Sequence, residues 1–211
     1  MRIILAGASG LVGGSVARQA DAGALTCISR RHVDGLDARV TQLVAPIDKW
    51  ADQIAAAGCD VAIAALGTTL RAAGSKAAFS AVDLDLVSSF AKAARAAGAG
   101  QFMLVTSVGA NANAANFYLS VKGKAEAAVQ ALGYERVDIF RPGLLRGDRQ
   151  ENRLGESIAM TISPFTDLLT PGMFDKYRSI AASQVASAIV RRIGAAEPGM
   201  FIHHNREMMA G

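Results

Sequence analysis

Short apolar runs rich in Val, Ile and Leu recur along the chain, separated by longer alanine-rich amphipathic stretches. The runs are RIILAG (2–7), ALTCISR (24–30), RVTQLV (39–44), DVAIAAL (60–66), QFMLVTS (101–107), VDIFRPG (137–143) and MFIHH (200–204). Their apolar positions are continuous rather than alternating, which predicts strands buried on both faces of a parallel sheet. The stretches at about 11–21, 48–57, 76–97, 115–132 and 180–193 predict helices. Strands alternating with helices imply right-handed crossovers and a doubly wound, parallel α/β sheet. Ligands of such sheets bind beyond the carboxyl ends of the strands, where the strand order reverses. Only 144–179 departs from the rhythm. It predicts a short irregular insertion, a lid or substrate segment within one domain spanning 1–211.

Composition narrows the classes. A chain of 211 residues with 51% apolar and 19% charged residues carries one well-buried core and is not disordered. The net charge is only +4, and the densest arginine group, RPGLLRGDRQENR, is diluted by Asp148 and Glu151 and holds no aromatic. That argues against nucleic acid as a partner. Cys27 and Cys59 lack metal-ligand spacing and read as small buried thiols in a reducing compartment. His32, His203 and His204 lack the helical spacing of a zinc site, so no metal is expected. The opening MRIILAGASGLVGGSVA mimics a signal peptide, but four glycines interrupt it, and no apolar run reaches the length of a membrane span. The expectation is a cytoplasmic protein.

Those glycines have a better explanation. GASGLVGG follows the first strand and opens the first helix. Gly7 permits a tight turn, Gly10 lets backbone approach a pyrophosphate, and Gly13 allows helix and strand to pack closely. The N–H groups of Ser9, Gly10, Leu11 and Val12 then face phosphates at the positive end of the helix. The Gly-Lys-Ser/Thr ending of a nucleotide-hydrolysing loop is missing. Twenty residues beyond Gly10, the second strand ends in Ser-Arg-Arg. An NAD-preferring site places a carboxylate there for the ribose 2′-hydroxyl. Arg30 and Arg31 offer cationic forks instead, which suit a 2′-phosphate and point to NADP(H). His32 reads as a surface histidine that could line the adenosine edge. After the fourth strand, Leu66 and Gly67 bring backbone near the cofactor, and Thr68 and Thr69 supply small hydroxyls that serve the ribose or ordinary turn chemistry.

Tyr118 and Lys122 stand four apart in NFYLSVKGKAEAAV and therefore share one helix face. A neighbouring ammonium and an oxidised nicotinamide ring both favour a phenolate over a phenol. Such a tyrosine can give a proton to a carbonyl oxygen as hydride arrives, or run the reverse. Lys122 would also hydrogen-bond the nicotinamide ribose. Ser107, ending the fifth strand, could orient the substrate oxygen, with Thr106 as the neighbouring alternative.

The ordered set GASGLVGG, LGTT, TS, YLSVK and RPG resembles the short-chain dehydrogenase/reductases, in their extended or atypical branch. LGTTLRAAGSKAAFSAVDLD, TSVGANANAANFYLSVKGKAE and IFRPGLLRGDR bring it nearest to the small Tat-interacting-protein-like NADP(H)-binding group, over about 1–195. The resemblance implies a Rossmann-like fold, a phosphate loop at Gly7, Gly10 and Gly13, and NADP selection by Arg30 and Arg31. It also implies a catalytic Ser107–Tyr118–Lys122 set, with Pro142 beside the nicotinamide. The eleven-residue gap from Ser107 to Tyr118 is shorter than the extended branch usually has. The leading expectation is an NADP-dependent reductase or dehydrogenase of a small carbonyl or alcohol compound. Its rivals are a non-catalytic NADP(H) sensor and a nucleotide-sugar epimerase or dehydratase. Arg71, Lys76, Arg146, Arg149 and Arg153 hint at an anionic group on the substrate, though solvation explains each equally well. A homodimer or a protein partner stays open.

Overall fold

All seven predicted strands form, and their register explains why their apolar runs are continuous. The computed structural model describes residues 1–147 and 178–210. The strands are β1 (Ile3–Ala6), β2 (Leu25–Ser29), β3 (Thr41–Val44), β4 (Val61–Ala64), β5 (Gln101–Val105), β6 (Arg136–Phe140) and β9 (Gly199–His203). They form one sheet in the order β3-β2-β1-β4-β5-β6-β9, every pair parallel. Alternate residues feed opposite faces. Ile3 and Leu5 of β1 join one core layer with Val12 and Val16 of α1 (Leu11–Gln19) and Val185 and Ile189 of α7 (Ala182–Val190). Ile4 and Ala6 join the other, with Trp50 and Ile54 of α2 (Trp50–Ala57), Val87 and Phe90 of α5 (Val87–Ala96), and Ala125 and Val129 of α6 (Phe117–Gln130). Each face must therefore be apolar. The edges depart from this: no residue of β3 is fully buried, and in β9 only His203 is.

Four local features depart from the predicted elements. The expected helix 76–97 is α4 (Lys76–Ser80), a π-helical stretch over Ala81–Leu86, and then α5. A four-residue helix α3 (Leu70–Ala73) precedes it, and the Thr69 hydroxyl caps it by accepting from Ala72 N at 3.0 Å. That hydroxyl thus does turn chemistry. Near the expected insertion, β7 (Leu145–Arg146) pairs with β8 (Ile180–Ala181), so α7 starts two residues later than the predicted helix. The remainder of the predicted lid, including Arg149 and Arg153, lies outside the described residues. After β9 comes α8 (Asn205–Met209). No helix among the described residues is long and apolar enough to cross a membrane.

The edge strand β9 is held through a buried charge rather than an apolar face. Asp138 in β6 is fully buried and accepts from Arg136 Nε at 2.7 Å and Nη2 at 2.9 Å, from Gln101 at 2.8 Å, and lies 2.8 Å from His203 Nε2. The Arg136 guanidinium sits 4.0 Å from the Phe201 ring centre. Burial raises the Asp138 pKa, but the hydrogen bonds from His203, Arg136 and Gln101 outweigh it and hold the carboxyl below its usual value. A depressed carboxyl pKa means the stabilisation is fully present above the unfolded-state value near ~3.9 and is lost as pH falls through the folded one. Asp138→Asn is expected to cost ~3–5 kcal/mol at pH 7. Urea unfolding should show the gap from wild type closing below about pH 4; a gap independent of pH would contradict this assignment.

Candidate active site

The strand order reverses between β1 and β4, which lie side by side although β2 and β3 intervene in sequence. A crevice at the carboxyl ends of those two strands is where this architecture binds ligands. Gly7 turns the chain there with φ +101°, and a Cβ on it would overlap the Ala65 carbonyl beyond β4. Gly13 packs against the Gly7 carbonyl, so α1 and the turn meet backbone to backbone. Gly10 caps α1 with no side-chain bond, and its N–H donates to Gly7 O at 2.9 Å. Ser9 beside it is exposed, while Leu11 is half-buried and Val12 turns inward. Leu11 is also touched by Gly147, where a Cβ would overlap its side chain, so the strand β7 ends beside the glycine turn.

Arg30 and Arg31 follow β2, the strand next to β1, and both are exposed. Neither forms an ion pair among the described residues. Ser29 Oγ donates to the Arg31 carbonyl at 2.6 Å and fixes the backbone that presents them. His32 instead lies 3.3 Å from Asp34.

The helix α6 brings three polar residues along one face. Asn116 caps it, accepting from Leu119 N at 3.2 Å. Tyr118 sits in the first turn, half-buried, its ring 5.6 Å from buried Phe79. Its hydroxyl makes no hydrogen bond among the described residues. Lys122, one turn on, is 6% exposed, and its Nζ lies 6.0 Å from the Tyr118 ring centre and 2.7 Å from Asp83 Oδ1. Burial alone would lower the Lys122 pKa. Attraction to Asp83, Tyr118 and Glu126 outweighs it, so the ammonium is held above its ordinary value. Asp83 also accepts from Thr68 N at 2.9 Å. Gly67 passes so near that a Cβ would stand 3.4 Å from Asp83 Oδ1 and 3.5 Å from Lys122 Nζ. The half-buried Leu66 precedes it.

Glu126, a further turn along, gathers the neighbouring strand ends. It accepts from Thr106 Oγ1 at 2.7 Å and from Arg141 Nε at 3.0 Å and Nη2 at 2.5 Å. The Thr106 hydroxyl is thus committed to Glu126. Ser107 is half-buried, and among the described residues its Oγ donates only to the Val108 carbonyl, at 3.3 Å. Val108 N donates to the carbonyl of buried Pro142 at 2.9 Å, joining the ends of β5 and β6. The short gap from Ser107 to Tyr118 is bridged by folding back: Asn111 N donates to Leu119 O at 3.1 Å and Ser120 Oγ to Ala112 O at 3.0 Å. Gly123 makes room, since a Cβ there would overlap the Asn111–Ala112 backbone.

Asp83, Glu126 and Gly123 escaped the sequence reading. Phe79, Val87, Phe90 and Ala94 form a buried stripe at helical spacing, and position 83 falls on it. An acid within an apolar stripe was the available signal for Asp83. Of the substrate-side cations, Arg71, Lys76 and Arg146 are exposed. Lys76 Nζ lies 5.3 Å from the Phe117 ring centre, and Phe117 packs on Phe79 as Tyr118 does.

No family model matches the chain. It is 36% identical over 176 residues to the mitochondrial protein FMP52 of Candida albicans, spanning 79% of this chain and 77% of that one. The chain belongs to the FMP52 family. Rat HTATIP2 is 46% identical over 102 residues, 48% of this chain and 42% of its own. Solved structures of nicotinamide-dinucleotide enzymes share the chain's Rossmann-like fold. A putative NAD-dependent epimerase/dehydratase from Bacillus halodurans superposes with a TM-score of 0.68 over 95% of this chain and 92% of its own, at 22% identity. UDP-glucose 4-epimerase from Thermotoga maritima gives 0.70 over 97% and 77%, at 11% identity.

The FMP52 relatives correct one expectation. Those of Candida albicans and Emericella nidulans are named mitochondrial proteins, against the cytoplasmic placement inferred from composition. The inference rested on reduced cysteines, on glycines interrupting the signal-like opening and on the lack of a long apolar run; both thiols are buried and free, with burial pushing each up to about 11. Inert thiols of that kind fit any reducing compartment and cannot single out the cytoplasm.

The packing at Gly123 yields a test whose sign is diagnostic. Glycine to alanine in an unobstructed helix stabilises by about 1 kcal/mol. Gly123→Ala is expected to cost ~1–3 kcal/mol in thermal unfolding, because the 111–112 backbone must move. Increased stability would show that the loop does not rest on the helix.

Proposed function

We propose that the protein is an NADP(H)-dependent oxidoreductase acting on a small carbonyl or alcohol compound, with Tyr118 exchanging the proton. The observation that supports this reading is a phenol with no hydrogen bond among the described residues, one turn from a buried, charged lysine that lies beside the Gly67 backbone after β4. The residues present fit that cofactor. Gly7 and Gly13 allow the close turn, and among the described residues a Cβ on Gly10 would meet only the carbonyl oxygens of Gly7 and Ala65, which suits a phosphate on its outer side. Arg30 and Arg31, exposed without ion pairs among the described residues, favour a 2′-phosphate over a free 2′-hydroxyl. When bound, the dinucleotide supplies or accepts the hydride.

The chain's own residues do the rest. In reduction, Tyr118 Oη gives its proton to the substrate oxygen; in oxidation, it takes one back. Lys122 stays protonated at neutral pH and places positive charge beside a phenol that must pass through its anionic form. Its remaining N–H groups would hold ribose hydroxyls. Thr106 is bound to Glu126, whereas Ser107 Oγ makes a long bond to the Val108 carbonyl, so Ser107 would be the hydroxyl that orients the substrate oxygen. Backbone at Leu66, Gly67 and Thr68 would line the cofactor opposite the glycine turn, with Pro142 closing the nicotinamide side.

Tyr118→Phe is expected to lower NADPH-dependent carbonyl reduction by about 10²–10⁴, while NADPH affinity, read by fluorescence, stays near wild type. Undiminished turnover would remove Tyr118 from the chemistry. A wild-type protein that binds NADPH but reduces nothing across a broad carbonyl panel would instead be a cofactor sensor. Replacing both Arg30 and Arg31 by alanine should cut the preference for NADPH over NADH at least about tenfold, since charge-assisted bonds contribute about 1.5–3 kcal/mol each. An unaltered ratio would mean that other residues read the 2′ position.

A further inference from the structure

The π-helical stretch Ala81–Leu86 lies between two ordinary helices, and Asp83 is its one buried residue. The carboxylate reaches two separate parts of the site. Oδ2 accepts the Thr68 N–H at 2.9 Å, and Oδ1 lies 2.7 Å from Lys122 Nζ. The side chain of Asp83 is 0% exposed and that of Lys122 8%, so the pair is largely withdrawn from solvent. Oδ1 nonetheless receives no aligned hydrogen bond. Charge and a side-chain contact at that distance both tie the ammonium to Asp83. An ammonium carries three N–H groups, so others remain to meet ribose hydroxyls.

We infer that Asp83 is a positioning residue of the site, fixing Lys122 and the Gly67–Thr68 backbone on one buried carboxylate so that the cofactor meets them as a single unit. The inference rests on the reading of Tyr118 and Lys122 given above. Lys122 faces Asp83 from the π-helical stretch and Tyr118 and Glu126 along its own helix. With the carboxylate removed, the buried ammonium loses its nearest counter-charge and gives up its proton at lower pH. The defect in cofactor binding should therefore depend on pH, which a mere packing defect would not.

The experiment is NADPH titration by fluorescence at pH 6 and pH 8.5 on the full chain, for wild type, Asp83→Asn and Asp83→Glu, with thermal unfolding to identify folded variants. Asp83→Asn is expected to weaken NADPH binding at least tenfold at pH 8.5 and clearly less at pH 6, with wild type nearly flat between them. In carbonyl reduction, the alkaline limb of its kcat/KM profile should move to lower pH. If Asp83→Asn does not fold, Asp83→Glu keeps the charge but displaces it, and should weaken NADPH at least fivefold at both pH values. A folded variant binding NADPH within twofold of wild type at both pH values would overturn the inference. So would an equal loss at both for Asp83→Asn, which would reduce Asp83 to packing. If wild type reduces no substrate, the oxidoreductase reading fails, while the titrations still decide the role of Asp83.

Discussion

A lysine ammonium can be buried against a protein core only where a carboxylate is brought to it. Lys122 is such a lysine, and Asp83 supplies the charge. That requirement shapes the neighbourhood. The helix carrying Asp83 widens into π-helical turns at that residue. The loop after β4 gives up the side chain at Gly67 to pass beside the pair and spends the Thr68 N–H on the same carboxylate. The glycine turn at Gly7 packs on Ala65, two residues upstream of Gly67. The buried pair, the crevice wall and the glycine turn are thus one continuous contact.

The same helix face continues the scheme one turn further. Glu126 accepts from Thr106 and Arg141, so the ends of β5 and β6 are fastened to the helix that carries Tyr118 and Lys122. Two buried acids, each serving a backbone or strand end and a cation, set where Ser107, Tyr118, Lys122 and Pro142 stand relative to one another. Buried charge networks of this kind are poor sources of net stability but effective at specifying one arrangement, because each half is costly to leave unpaired.

What was legible in the sequence was what is local. The seven strands could be read because parallel strands covered on both faces must be apolar throughout, and the glycine turn because only glycine fits where backbones touch at Gly7 and Gly13. Tyr118 and Lys122 could be paired because helical spacing is fixed. The apolar stripe could mark Asp83 as inward-facing, but nothing local could link it to Lys122, thirty-nine residues away, without knowing how the two helices pack. A regular 3.6-residue period also gives no warning of a π-helical stretch. That Thr106 rather than Ser107 is bound by Glu126 likewise could not be read, since adjacent residues at a strand end look equivalent until one side chain finds a partner. The exposed edge strands β3 and β9 read as buried ones because composition does not reveal which strand lies outermost.

The most direct measurement of the central claim is a crystal structure with NADP⁺ bound. The account predicts the 2′-phosphate against Arg30 and Arg31, Lys122 Nζ on the nicotinamide ribose while still touching Asp83, and the Tyr118 hydroxyl within hydrogen-bonding reach of the same ribose. A dinucleotide seated elsewhere, or a Tyr118 hydroxyl turned to bulk solvent away from the nicotinamide, would contradict it.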